Sequence, residues 1–179
     1  MNNRGQAFST FQLLIAAVVA LAILVLLLNI IGSLPTPGTT KPQAEAVNLI
    51  KSQVNSPSEL RTSSNAVIFT REDSLNSRAI ATSSGVLTSS QVCISMGDFA
   101  NEQDSDFVDT NPNASGDIVQ YQGSGQLRVK LSVICDTGTE LANDLQNNGI
   151  DDSTWMQSDK CQSVLSLSQT ACVVALRFV

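Results

Sequence analysis

The strongest pattern in the chain is an apolar run near its N-terminus. Leu13 to Leu28 is an unbroken stretch of apolar residues, and Asn29-Ile30-Ile31 extends it by about one turn. As a helix over residues 6–31, this segment would be about 39 Å long, which is enough to cross a bilayer. The run has no polar face, so we expect lipid or other helices to surround it on every side.

The pattern changes after this run. Three prolines, Pro35, Pro37 and Pro42, interrupt any helix and predict an extended hinge. Residues 44–55 then place apolar side chains on one face at helical spacing, which predicts a short helix.

From residue 66 onward, short segments alternate with turn-forming residues. The clearest segment is 126–135, where Leu127, Val129, Leu131 and Val133 alternate with polar residues as in a half-buried strand. The chain is therefore predicted to be α+β, with a long N-terminal apolar α-helix joined by a Pro-rich hinge to a small, mainly antiparallel β head domain. The predicted strands are 66–70, 78–82, 91–96, 118–122, 126–135 and 171–179, and a brief helix is predicted over 140–146.

Composition narrows the classes of function. The chain has 179 residues, a formal net charge of -6 and ten Lys plus Arg, so it has no basic stripe that would bind nucleic acid. It has no histidine, which removes the commonest general base and the commonest metal ligand. No phosphate-binding loop, dinucleotide fingerprint or nucleophile elbow is present. We therefore expect neither an enzyme nor a cofactor or metal site.

The four cysteines all lie in the C-terminal half, at Cys93, Cys135, Cys161 and Cys172. Their spacing contains no C-x-x-C, which argues against a zinc site or a thioredoxin-like motif. An even number of cysteines beyond a membrane-targeting segment favours two disulfides in an oxidising compartment. Of the three possible pairings we favour Cys93–Cys135 with Cys161–Cys172, and the other two stay open. Cys93 and Cys135 each lie in a predicted strand, so they could be neighbours in the sheet or join a strand to its terminal loop. Cys161 and Cys172 bracket a short loop just before the final strand.

The residues before the apolar run add a second signal. Arg4-Gly5-Gln6 is followed by six uncharged residues and then by the run itself. This arrangement resembles the class III, type IV prepilin-like signal peptide of archaeal pilins and related filament subunits, in which a membrane peptidase cuts behind a short basic leader that ends in Gly. The resemblance places the cleavage site between Gly5 and Gln6 and leaves the apolar helix on the mature chain.

The resemblance implies a structural subunit of an extracellular type IV pilus-like filament, used for adhesion, surface or cell contact, or motility. The precursor would lie in the cell membrane, meet a prepilin peptidase and the membrane assembly machinery, and end as a helical homo-oligomer outside the cell. The implied segments are a leader over 1–5, an assembly or transmembrane helix over 6–33, a hinge over 34–42 and an extracellular head over 43–179. The helix positions expected to contact neighbouring copies are Phe11, Leu14, Val18, Val19, Ile23, Val25 and Asn29.

Two alternatives stay open. The chain could be an extracellular binding protein anchored by a single uncleaved helix, or a secreted β binding module behind an ordinary signal peptide. The mature N-terminus separates the three hypotheses, because it would be Gln6, Met1 or a residue near Ser33.

Three weaker features lie in the head. Asn113-Ala114-Ser115 is a glycosylation sequon, with Asn113 as the candidate acceptor. Asp144, Gln146, Asn148 and Gly149 match the first positions of an EF-hand loop, but Trp155 occupies its last ligand position, so a simple turn is the better interpretation. Residues 98–117 contain a set of acids that we interpret as a solvated loop rather than a cation site: Asp98, Glu102, Asp104, Asp106, Asp109 and Asp117.

Overall fold

The structure, a computed structural model, describes residues 12–25, 41–100, 106–111, 116–150 and 155–179. The chain divides into two compact units, Met1–Thr36 and Pro37–Val179.

In the first unit, the described residues form one helix, α1, over residues 12–25. At about 1.5 Å per residue, α1 is about 21 Å long. A helix that crosses a bilayer needs roughly 20 residues, which is about 30 Å, so α1 is too short. Within the described ranges, no helix is both long enough and apolar enough to span a membrane. The predicted long apolar helix over residues 6–33 is therefore wrong. The apolar run contains no capping residue and no change of periodicity that would mark a helix end. The predicted length therefore depended on its apolar composition alone.

The second unit is an α+β head. Its elements follow the order α2 (Pro42–Gln53), β1 (Arg61–Thr62), β2 (Val67–Phe69), β3 (Ser74–Asn76), α3 (Ser77–Ser84), β4 (Val92–Ser95), a 3-10 turn (Gly97–Phe99), β5 (Phe107–Asp109), β6 (Ile118–Tyr121), β7 (Leu127–Thr137), α4 (Leu141–Asn147), α5 (Asp159–Leu165) and β8 (Thr170–Arg177).

These strands form two sheets. The larger sheet has the order β1-β7-β8-β4, with β2 also paired to β7, and the smaller sheet has the order β3-β6-β5. The β7–β8 ladder is antiparallel and runs from Lys130 opposite Arg177 to Thr137 opposite Thr170. β4 is parallel to β8, and the other described pairings are antiparallel. The larger sheet is the framework on which both cores of the head are built.

Apolar side chains cover both faces of the larger sheet. On one face, a first core packs the sheet against α2, α3 and the smaller sheet, and it includes Ile50, Phe69, Leu75, Ile80 and Leu131. On the other face, a second core packs the sheet against α4 and α5, and it includes Ile134, Leu141, Leu145, Trp155 and Val164. This arrangement explains why β8 is buried from Ala171 to Leu176 without polar alternation, since each of its faces meets a core.

Most predicted elements of the head have a counterpart in the structure. The strands predicted over 66–70, 91–96, 118–122, 126–135 and 171–179 contain or overlap β2, β4, β6, β7 and β8. The helices predicted over 44–55 and 140–146 correspond to α2 and α4. Strands β1, β3 and β5 and helix α5 were not predicted.

The strand predicted over 78–82 is wrong, because these residues belong to α3. Asn76 caps the helix by accepting a hydrogen bond from the backbone N–H of Ala79 at 3.0 Å, and Gly85 ends it in a left-handed conformation with φ 70°. Within five residues the alternation around Ile80 fits a strand, but Ile80 and its neighbour Ala81 are both buried, which a helix face allows.

Candidate functional site

The most unusual surface of the described residues is that of α1. All nine of its Leu, Ile and Val side chains are exposed, with exposed fractions between 47% and 70%. Five of these residues are positions that the sequence analysis expected to contact neighbouring copies: Leu14, Val18, Val19, Ile23 and Val25. The other two expected positions, Phe11 and Asn29, lie outside the described residues.

This apolar surface extends around the whole circumference of α1. Successive residues of a helix are rotated by about 100°, so Leu13, Leu14 and Ile15 point in three different directions, and all three are exposed. Residues 12–25 contain no charged side chain, and Gln12 is their one polar residue. A helix of this kind has no face that favours water, and its stable state has other apolar groups around it.

The predicted processing and glycosylation positions are not tested by the structure. Gly5 and Gln6, at the expected cleavage site, lie outside the described residues, and so does Asn113. These assignments stay predictions from the sequence.

The cysteines form two buried disulfides, Cys93–Cys161 and Cys135–Cys172, with Cα–Cα distances of 5.1 Å and 4.1 Å. The prediction that all four cysteines are disulfide-bonded is confirmed, and the favoured pairing is wrong. Cys135 and Cys172 are directly opposite each other in the β7–β8 ladder. Since β8 lies between β4 and β7, Cys93 is not a neighbour of Cys135, and it meets Cys161 of α5 in the second core.

The acid-rich segment around residues 98–117 does not form a cation site where the structure describes it. No group of three or more His, Cys, Asp or Glu suited to a metal occurs among the described residues. Its described acids accept hydrogen bonds from protein groups instead: Asp98 from Arg177, Asp106 from Tyr121, Asp109 from Asn111 and Gly116, and Asp117 from Ser77 and Asn111. Glu102 and Asp104 lie outside the described residues.

The segment with an EF-hand-like start is helix α4 and the turn behind it. Asn148 donates a side-chain hydrogen bond to the backbone oxygen of Asp144 at 2.8 Å, and Gly149 turns the chain with φ 69°. Trp155 is 1% exposed in the second core. These positions therefore build a helix end, in agreement with the interpretation as a turn.

A pair of carboxyl groups at the end of β7 was missed by the sequence analysis. Asp136 of β7 and Asp144 of α4 are in side-chain contact, and we call them the carboxyl pair. Both oxygens of Asp136 accept hydrogen bonds, one from the Ser58 hydroxyl at 2.7 Å and one from the backbone N–H of Thr137 at 2.5 Å. Asp144 is 6% exposed, and its Oδ2 atom is buried without a hydrogen-bond partner.

The two members of the carboxyl pair titrate in opposite directions. Burial raises the pKa of Asp144, and the hydrogen bond and charge of Asp136 with the charge of Glu140 raise it further, against a hydrogen bond from Ser58. Burial also acts to raise the pKa of Asp136, but hydrogen bonds from Ser58, the Thr137 backbone and Asp144 outweigh it and lower that pKa. No sequence signal could have found the pair, because Ser58 is 78 residues from Asp136 and only the fold joins them.

Two of the cavities in the head are lined in part by acidic side chains, Asp109 in one and Glu72 in the other. One of about 180 Å³ is lined mainly by uncharged side chains, and its acid, Asp109, already accepts hydrogen bonds from two backbone N–H groups. Another of about 290 Å³ lies beside Tyr121, whose pKa is raised by burial and by the nearby charge of Asp106.

The chain matches no protein-family model, no curated protein and no solved structure.

Proposed function

We propose that this chain is a structural subunit of an extracellular, type IV pilus-like filament in which α1 of each copy packs among the α1 helices of other copies. The observation that carries the proposal is the apolar surface around the whole circumference of α1, with nine large side chains at least 47% exposed. Homo-oligomeric burial would cover this surface while leaving the separately folded head on the outside.

Magnitudes favour several neighbours over one. Complete burial of a Val, Leu or Ile side chain contributes about 1.5–3 kcal/mol, so a side chain that is half exposed gains about 1 kcal/mol when it is covered. One partner helix covers less than half of the circumference of α1, so each of the two helices gains about 4 kcal/mol and keeps most of its apolar surface exposed. Contact with neighbours on all sides roughly doubles the gain, and a helical assembly provides such contact.

The head has properties that suit the outside of a filament. It is a compact unit that begins at Pro37, with two cores of its own and two disulfides. Disulfides form and persist in oxidising surroundings such as the cell exterior. The head also holds most of the charge of the chain, whereas residues 12–25 hold none.

The residues ahead of α1 support the same proposal. Arg4-Gly5-Gln6 resembles the processing site of archaeal pilins, and cleavage behind Gly5 would leave α1 close to the mature N-terminus. N-terminal sequencing of protein sheared from the cell surface tests this step. We expect Gln6 as the first residue. Met1 would indicate an uncleaved anchor and a residue near Ser33 would indicate an ordinary signal peptide, and either result would contradict the proposal.

Assembly through α1 is tested by a matched pair of substitutions. Val19 in α1 and Val86 in the head are each 51% exposed, so replacing either one by Asp makes the same chemical change at the same exposure. Val19→Asp would bury an unpaired carboxylate among apolar helices at a cost of several kcal/mol, and we expect it to abolish filaments. Val86→Asp should leave filaments visible by electron microscopy.

The folding of the head is the control for both variants. Each variant should retain both disulfides, as seen by non-reducing peptide mapping, so that a loss of filaments reports assembly rather than misfolding. Normal filaments formed by Val19→Asp would contradict assembly through α1. Filaments lost equally in both variants would show that the head also makes an essential contact and would contradict assembly through α1 alone.

A further inference from the structure

The hydrogen-bond donors around the carboxyl pair stabilise one ionised carboxylate, not two. Asp136 accepts hydrogen bonds at both of its oxygens, from Ser58 and from the Thr137 backbone, as an ionised carboxylate does. Asp144 is 94% buried, the complement of its 6% exposure, and its Oδ2 receives no hydrogen bond. An ionised carboxylate is strongly disfavoured here, since one of its oxygens is removed from water and receives no hydrogen bond.

The charges around Asp144 increase this cost. The groups that act on it from the elements packed there are Asp136 on β7 and Glu140 at the start of α4, and both are acids. Neither member of the carboxyl pair forms an ion pair with a Lys or Arg among the described residues. Ser58, from the turn behind α2, contributes a hydroxyl but no charge. The Ser58 hydroxyl favours an ionised Asp144, but burial and the two acids outweigh it, so the pKa of Asp144 is raised.

One proton placed between the two side chains resolves both problems. A protonated Asp144 donates a hydrogen bond from its O–H to the Asp136 carboxylate. The buried carboxyl of Asp144 is then neutral, and the pair consists of one donor and one acceptor instead of two acceptors. A divalent cation would also neutralise the pair, but among the described residues no third acidic, Cys or His side chain joins these two carboxyls in a group suited to a metal.

We propose that Asp136 and Asp144 share one proton, and that this proton stabilises the packing of α4 against the end of β7. The packing of α4 on the sheet therefore weakens as the pH rises. The pair lies where α4 meets the second core, because Leu141 and Leu145 on the same helix are fully buried there. Loss of the proton would place two negative charges in contact between α4 and β7. The device would make the head respond to the acidity of its surroundings.

The direction of the pH dependence follows from the two shifts. Asp144 has a raised pKa, so the folded head holds a proton that the unfolded chain releases above about pH 3.9, and its contribution to stability falls as the pH rises through its folded pKa. Asp136 has a lowered pKa, so its contribution is present above about pH 3.9 and is lost as the pH falls through its folded pKa. The pair together therefore stabilises the head most near pH 4.

A carbon-detected NMR titration of the full chain, labelled with ¹³C-aspartate and held in a non-ionic detergent, tests the shared proton directly. We expect the Asp144 carboxyl signal, assigned through its own backbone in the unsubstituted protein, to titrate above the free aspartic acid value of about 3.9 and the Asp136 signal to titrate below it. Titration of Asp144 at or below that value would overturn the proposal. A shift of both signals on addition of millimolar Ca²⁺ would also overturn it, in favour of a cation.

Unfolding measured across the pH range tests the consequence for stability. Asp144→Asn keeps the shape and donor of the protonated acid but cannot ionise. Between the unfolded and folded pKa values of Asp144, the unfolding constant of the unsubstituted chain should rise about tenfold for each pH unit through this one proton, and Asp144→Asn should remove that rise. Glu59→Gln removes an acid that is 62% exposed and should leave the slope unchanged. An unchanged slope in Asp144→Asn would contradict the proposal, and the NMR titration decides the matter if that variant does not fold.

Discussion

The two disulfides should stabilise different parts of the folded head, although they restrict the unfolded chain to a similar extent. Cys93–Cys161 separates its cysteines by 68 residues and Cys135–Cys172 by 37 residues. Restriction of the unfolded chain gives about 4 kcal/mol for either loop, and the two estimates differ by only about 0.5 kcal/mol. A difference between the variants that lack one bond must therefore come from what each bond holds in the folded head.

The surroundings of the two bonds are unequal. Cys135 and Cys172 join strands that already pair along the whole β7–β8 ladder, from Lys130 to Thr137 on β7. Cys161 lies on α5, a helix of 7 residues that is too short to be stable by itself. We expect the double variant Cys93→Ala/Cys161→Ala to loosen the second core while the sheet stays folded, and the double variant Cys135→Ala/Cys172→Ala to unfold as one unit.

The single tryptophan provides the assay. Trp155 is buried in the second core, so its fluorescence in urea reports that core, while far-UV circular dichroism reports the whole head. With a urea dependence of about 2 kcal/mol per M, a loss of about 4 kcal/mol lowers the midpoint by about 2 M in Cys135→Ala/Cys172→Ala, which should unfold in one transition. In Cys93→Ala/Cys161→Ala, we expect the fluorescence transition to precede the circular dichroism transition.

Coincident transitions in Cys93→Ala/Cys161→Ala would refute this reasoning, because α5 would then not depend on its disulfide. The double variant Cys135→Ala/Cys172→Ala is the matched control, and its two transitions should coincide. Non-reducing peptide mapping of the unsubstituted chain checks the premise, with a peptide joining Cys93 to Cys161 as the expected product.

Two further predictions concern the packing of the first core and its edges. Gly97→Ala should destabilise the head by about 1–3 kcal/mol more than Gly85→Ala, and thermal melts of the two variants measure the difference. Both glycines have positive φ, of 54° and 70°, but only at Gly97 would an added Cβ clash with the backbone oxygen of Leu176. Phe107→Ala should cost about 3–5 kcal/mol, because this ring is 4% exposed and lies 5.0 Å from the ring of Phe69; a loss below 1 kcal/mol in urea unfolding would show that the neighbouring rings close the cavity.

Periodicity predicted those elements of the head that have one buried face. In the first half of β7, Leu127, Val129 and Leu131 alternate with the exposed or half-buried Arg128 and Lys130, as the sequence indicated. From Ser132 to Cys135 every residue is buried, because two cores meet this part of the strand. Alternation therefore identified the strand but not the second layer that covers it.

Short segments without a long period were the least predictable. The alternation over 78–82 was typical of a strand, yet the cap at Asn76 and the left-handed Gly85 bound a helix there. Strands β1, β3 and β5 have only two or three residues each, too few to show a period of two. At the N-terminus, the apolar run correctly indicated a helix without a polar face but not its length in the structure.

The sequence by itself determined the local features of this protein: the apolar surface of α1, the break after it, the principal strands and the presence of paired cysteines. Each depends on residues adjacent in the chain or on composition, so each is visible without the fold. The tertiary structure alone decided that β8 lies between β4 and β7, and this order set the disulfide partners. It also brought Ser58, Asp136 and Asp144 together, because burial and hydrogen bonding between distant segments depend on how the layers pack.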